Sequence, residues 1–81
     1  MPNDPIAIHD PAALGKLLRQ VRKEMSLTQA EAAGICNVGV RLIVELEQGK
    51  QTAHIGKIFQ VLKGYGLVLS ASKRKISRGM A

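Results

Sequence analysis

The stretch LTQAEAAGICNVGVRLIVELEQGK, residues 27–50, constrains this chain more than any other, because it holds two short helical patterns with almost no chain between them. Thr28-Gln29-Ala30-Glu31 has the T-x-x-E spacing in which the Thr hydroxyl and the Glu carboxylate satisfy free amides at a helix start. A small, Ala-rich helix should therefore run from there to about Cys36, slim enough for neighbours to approach closely. Asn37 tolerates the left-handed backbone of a tight turn, though less readily than Gly. A second helix is expected over 39–48, with Gly49 as its terminator.

The flanks supply two more helices. Asp10-Pro11 is a helix start, Asp as cap and Pro in the first turn where its missing amide costs nothing. Leu14, Leu17, Leu18, Val21 and Met25 recur at helical spacing, which predicts a helix over 11–25. Thr52 is the expected cap of a fourth helix with Ile55, Ile58, Phe59 and Leu62 on its apolar face, Tyr65 as a further candidate, and Gly64 and Gly66 at its end. Beyond it, LVLSAS at 67–72 (Leu67, Val68, Leu69, Ser70, Ala71, Ser72) is rich in extended-chain formers and reads as a strand. Its sole partner in the chain is the short IAI at 6–8, and a lone strand leaves backbone groups unpaired. The same strand from a second copy, antiparallel across a two-fold axis, is the simplest remedy, with an ordinary extended tail as the alternative. Eighty-one residues bury only a modest share of their surface, which also favours a second subunit. The expected organisation is an N-terminal arm over 1–10, one folded domain over 11–72 and a basic flexible tail over 73–81.

Twelve Lys and Arg against six Asp and Glu leave a formal charge of +6, which favours nucleic acid or another polyanion as partner. The lone Cys36 can form no internal disulfide, and no Cys or His stands at ligand spacing from it, so no metal is expected and a reducing cytoplasm is the natural home. His9, His54 and Cys36 are the candidates for nucleophile or general base, and they do not converge with an orienting group. No catalytic residue, cofactor or small-molecule substrate is therefore expected. The N-terminus lacks the basic-then-apolar order of a secretory signal, and no apolar run approaches the roughly 20 residues that span a bilayer, so no membrane partner is expected.

Counted from Gln29, the residues Ala32, Ala33, Cys36, Val38, Ile43 and Leu46 are small or apolar where a helix-turn-helix needs them, locking two helices together and leaving one side of the second free for a DNA groove. Here the chain resembles the Xre-type repressors related to the phage lambda and 434 repressors, through Leu27-Thr28-Gln29, Ala33 and Glu47-Gln48-Gly49-Lys50. Within that family, the order Ile8-x-Asp10-Pro11-x-x-Leu14-Gly15-x-Leu17-Leu18-Arg19, then Val44 to Lys50 followed by Thr52, then Gly66-Leu67-Val68-Leu69-Ser70, is similar to the HipB-type antitoxins. The resemblance covers residues 6 to about 72. It implies an all-α, lambda-repressor-like four-helix domain whose C-terminal β-strand pairs across a homodimer. It also implies a palindromic operator in the chain's own promoter and a HipA-like serine/threonine kinase toxin as partner.

Base contacts are expected from the outward N-terminal half of the third helix, where Gly39, Val40, Arg41, Val44 and Glu45 fall. Arg41 leads, since its planar fork can bond guanine O6 and N7, a contact worth roughly 1–3 kcal/mol of discrimination; an exposed pair with Glu45 is the competing role. Val40 suits a thymine methyl or partial burial equally. Gly39 and Val40 stand where better-known repressors commonly carry Gln, Lys or Ser, so discrimination is expected to be narrow or to lean on DNA shape.

Phosphate contacts are expected from Thr28, Gln29, Gln48, Lys50, His54 and Lys57. The resemblance supports Gln29 and Lys50 most directly; for Lys57 a solvated helix face is the alternative. By the same resemblance, Arg22 and Glu47 take the positions of a partly buried ion pair tying the first helix to the third. Lys16, Arg19 and Lys23 face solvent or the toxin, and the tail KRKISRGMA either meets phosphates or an acidic partner or simply aids solubility. Two other functions stay open, a stand-alone repressor without a toxin and an interaction module that has lost DNA binding.

Overall fold

A computed structural model describes residues 4–73. Four helices follow in order: α1 Pro11–Glu24, α2 Gln29–Cys36, α3 Val40–Glu47 and α4 Ile55–Gly64. The caps explain the boundaries. Asp10 accepts a hydrogen bond from the Ala13 amide at 2.8 Å with Pro11 in the first turn. At α2, Thr28 Oγ1 accepts from the Glu31 amide at 3.0 Å while Glu31 Oε1 accepts from the Thr28 amide at 2.8 Å, so two donors are satisfied reciprocally. Asn37 lies in the left-handed region, φ 57 and ψ 46, and ends α2. Gly49 does the same after α3 at φ 83.

Leu18, Ala32, Ala33, Cys36, Ile43, Leu46, Val61, Leu62 and Tyr65 form the core, joined at its edge by Leu14, Val21, Leu27, Val38, Leu42, Ala53, Ile58 and Leu67. The α1 and α2 helices both pack on α3, and α4 packs on α2. Gly15 permits the first contact: a Cβ there would run into the carbonyl oxygens of Leu46 and Glu47. Gly64 permits the last, lying against Cys36 Sγ. Gln60 adds a polar tie, its Nε2 donating to the Cys36 and Asn37 carbonyls at 3.0 and 2.9 Å, which clamps the inter-helix turn from α4.

Three expectations about the helices need correction. Thr52 does not cap α4: the helix starts two residues later with His54 as N-cap and no side-chain cap bond, because the chain first buries part of Ala53 against the core. The apolar face of α4 is Ile58, Val61, Leu62 and Tyr65, while Ile55 and Phe59 are 64% and 47% exposed. Both registers have helical spacing, and the close approach of Gly64 to Cys36 selects the one that includes Val61. Met25 lies past the end of α1 and is exposed; it does not extend the apolar face.

Residues 67–73 carry no helix or strand within the single chain; Leu67 packs on the core, and Val68 and Leu69 are exposed. Of the tail over 73–81, only Lys73 falls within the described residues.

Candidate nucleic-acid interface

Packing decides which side of α3 is available. Ile43 and Leu46 turn into the core with Leu42 beside them, so Gly39, Val40 and Arg41 are left on the surface and Val44 and Glu45 half-buried at its edge. The Arg41 side chain is 89% exposed. Its Nε donates to Glu45 Oε2 at 3.3 Å, one turn along the helix. From beyond the end of α3, Lys50 Nζ reaches back to Glu45 Oε1 at 3.1 Å. The hydrogen bond from Lys50, and with it the bond from Arg41, holds the Glu45 carboxyl below the usual carboxylate range. The outward face thus presents two cations sharing one carboxylate.

A second network fixes α3 from behind. Arg22 Nε and Nη2 donate to Glu47 Oε2 and Oε1 at 2.6 and 2.9 Å, and Arg22 Nη1 donates to the Leu27 carbonyl at 2.9 Å. The two side chains are 10% and 5% exposed. Gln29 Nε2 also donates to Glu47 Oε1, at 3.2 Å. Burial pushes the Glu47 carboxyl up, but the hydrogen bonds from Arg22 and Gln29 outweigh it and hold it below its ordinary value. The same Glu47 bond raises Arg22 above its own. Through this network the start of α2, the end of α3 and the end of α1 are joined at one carboxylate.

Thr28, Gln48, Lys50, His54 and Lys57 are exposed, and Gln29 is half-buried. The Thr28 hydroxyl accepts in the capping box and keeps its own O–H to donate, and the Gln29 amide group gives one of its two N–H donors to Glu47, so α2 offers a phosphate its first-turn backbone together with one side-chain donor from each. Lys50, His54 and Lys57 follow one another across the α3–α4 connection and the first turn of α4. Two contributors escape a reading of the sequence: Gln60, which clamps the turn, and Lys50 as a partner of Glu45. The first has no local signal, and the second spans five residues across a helix end, outside the i,i+4 rule.

Cys36 is buried, donates through Sγ to the Val61 carbonyl at 3.7 Å, and has its thiol pushed up by burial. Among the described residues, no three His, Cys, Asp or Glu come together to hold a metal. Nor is any helix there long and apolar enough to cross a membrane.

Residues 18–69 match the Helix-turn-helix family. An uncharacterised HTH-type transcriptional regulator of Sinorhizobium fredii, y4mF, is 56% identical over 59 residues, 73% of this chain and 78% of that protein. Among solved structures, a HipB–O4 20mer complex superposes with a TM-score of 0.79 at 21% identity, covering 88% of this chain and all of that one. A HipA–HipB–O2–O3 complex gives the same TM-score, identity and coverage. A capped α2, a left-handed Asn37 turn and an α3 with one buried and one open side are the parts such a module needs to enter a major groove. This chain belongs to the helix-turn-helix family of DNA-binding transcriptional regulators.

Proposed function

We propose that the chain is an antitoxin of the HipB type: a homodimer that represses its own operon at a palindromic operator and neutralises a HipA-like serine/threonine kinase. The observation that carries the DNA half is the open face of α3, where Arg41 extends 89% exposed beside Lys50. Gly39, Val40, Arg41, Val44 and Glu45 are the base-facing residues, and Thr28, Gln29, Gln48, Lys50, His54 and Lys57 flank them toward the backbone. Residues 67–72 join two copies, so that two α3 helices meet half-sites about one helical turn (~34 Å) apart. Exposed Val68 and Leu69, in a segment with no sheet partner among the described residues, support that pairing. The toxin half is supported by the likeness to HipB along the whole of that chain, one structure of which contains HipA. A cytoplasmic, nucleoid-associated protein follows from the same reading.

A stand-alone repressor is the second reading, favoured by the y4mF relative, whose name carries regulation alone. Expressing the intact operon and purifying this chain separates the two. Recovery of a kinase from an adjoining reading frame together with promoter DNA supports the antitoxin; promoter DNA alone supports the stand-alone repressor. Recovery of neither rejects both.

A further inference from the structure

The geometry points to Glu45 as a positioning residue that sets how well this surface tells its operator from other DNA. This rests on the DNA-binding reading of α3 and asks what its one outward acid does there.

Glu45 sits between the two cations of the face, with Oε2 on Arg41 Nε and Oε1 on Lys50 Nζ at 3.3 and 3.1 Å. A guanidinium carries five N–H donors. With Nε held, the terminal Nη1/Nη2 fork of Arg41 stays free, and that fork can meet guanine O6 and N7 end-on. Glu45 therefore steers Arg41 by its stem and leaves its reading end unoccupied. The Glu45 side chain is 27% exposed and stands on the helix one turn from Arg41, which keeps the two side chains within reach of each other.

The same carboxylate works against indiscriminate binding. A bare Arg41–Lys50 pair would attract any phosphate, since the backbone term of DNA affinity scales with the number of cations that displace counterions. Glu45 cancels one of those two charges and repels phosphates directly. Exposed ion pairs are weak, so a well-placed duplex exchanges Lys50 from Glu45 to a phosphate at little cost. The Arg41–Glu45 pair is exposed and weak as well, so it biases the Arg41 fork toward a base without fixing it there. A duplex without a guanine in the register that Arg41 reaches meets the acid without compensation.

The test uses full-length protein, its promoter duplex and a random duplex of equal length, titrated over a range of salt. Glu45→Gln, which keeps the shape and removes the charge, is expected to raise random-duplex affinity several-fold and to steepen its salt slope by about 1 per subunit. Promoter affinity should rise less, so the promoter-to-random ratio falls several-fold. In an Arg41→Ala background, Glu45→Gln should still raise random binding through Lys50 but leave the ratio unchanged. An unchanged ratio and salt slope in the single variant would overturn the assignment. So would an equal weakening of both duplexes, which marks a merely structural residue. Wild-type protein that shows no promoter preference defeats the underlying DNA-binding proposal instead, a distinct outcome.

Discussion

Arg22 and Glu47, 25 residues apart in sequence, face each other as a bidentate pair with both side chains nearly buried. Glu47 also accepts from Gln29, and Arg22 also donates to the Leu27 carbonyl. One ion pair therefore fixes α3 to α1 and to the entry of α2 at once.

Removing either partner leaves a desolvated charge without its counter-ion, held only by the neutral Leu27 carbonyl or the Gln29 amide. Glu47→Ala or Arg22→Ala should destabilise the fold by about 3–5 kcal/mol, read from urea unfolding. A loss below about 1 kcal/mol would show the pair to be as weak as a surface one.

The same pair predicts an acid response. Glu47 has a folded-state pKa below its unfolded value, which is about 4.3 for Glu. Its contribution is fully present above that unfolded value and is lost as pH falls through the depressed folded one. Stability should decline below about pH 4.3, and less steeply in Glu47→Gln than in wild type. Parallel pH profiles for the two proteins contradict this assignment.

Close helix contacts set a second constraint. Gly15→Ala drives a methyl into the Leu46 and Glu47 carbonyls, backbone that cannot rotate aside, and should cost about 1–3 kcal/mol. Gly64→Ala should cost a similar amount by meeting Cys36, and Cys36→Ala should recover part of it by withdrawing Sγ. Strict additivity of Gly64→Ala and Cys36→Ala in thermal melts counts against the contact.

Much of this was legible in the sequence because it is local chemistry. Asp10, Thr28 with Glu31, Asn37 and Gly49 mark helix ends through their own backbone neighbours, and each stands at or beside a helix end. The small residues Ala32, Ala33 and Cys36 are buried as their spacing implies. The fourth helix was harder: IGKIFQVLKG is apolar on more than one side, so periodicity admits two faces, and tertiary contact with Cys36 decides between them. Thr52 has the right chemistry for a cap, but Ala53 must reach the core before the helix begins. On the interface, the placement of Arg41 on the open side of α3 follows from helical spacing. The hold of Glu47 on Gln29, and of Glu45 on Lys50, depends on three-dimensional approach and carries no sequence signal.

On DNA, the two cations should separate by role. Arg41→Ala should reduce discrimination at one base pair by roughly 1–3 kcal/mol, visible in binding to single-base operator variants. Lys50→Ala should weaken all sequences alike and lower the salt slope by about 1 per subunit. Indistinguishable profiles for the two variants refute this division.

The most direct measurement of the central claim, that two copies present α3 to the major groove, is guanine N7 methylation interference combined with footprinting on the chain's own promoter. Protection is expected over two half-sites centred about one helical turn (~34 Å) apart, with one interfering guanine in each that ceases to interfere in Arg41→Ala. Continuous protection without a preferred site, or interference unaffected by Arg41→Ala, would contradict it.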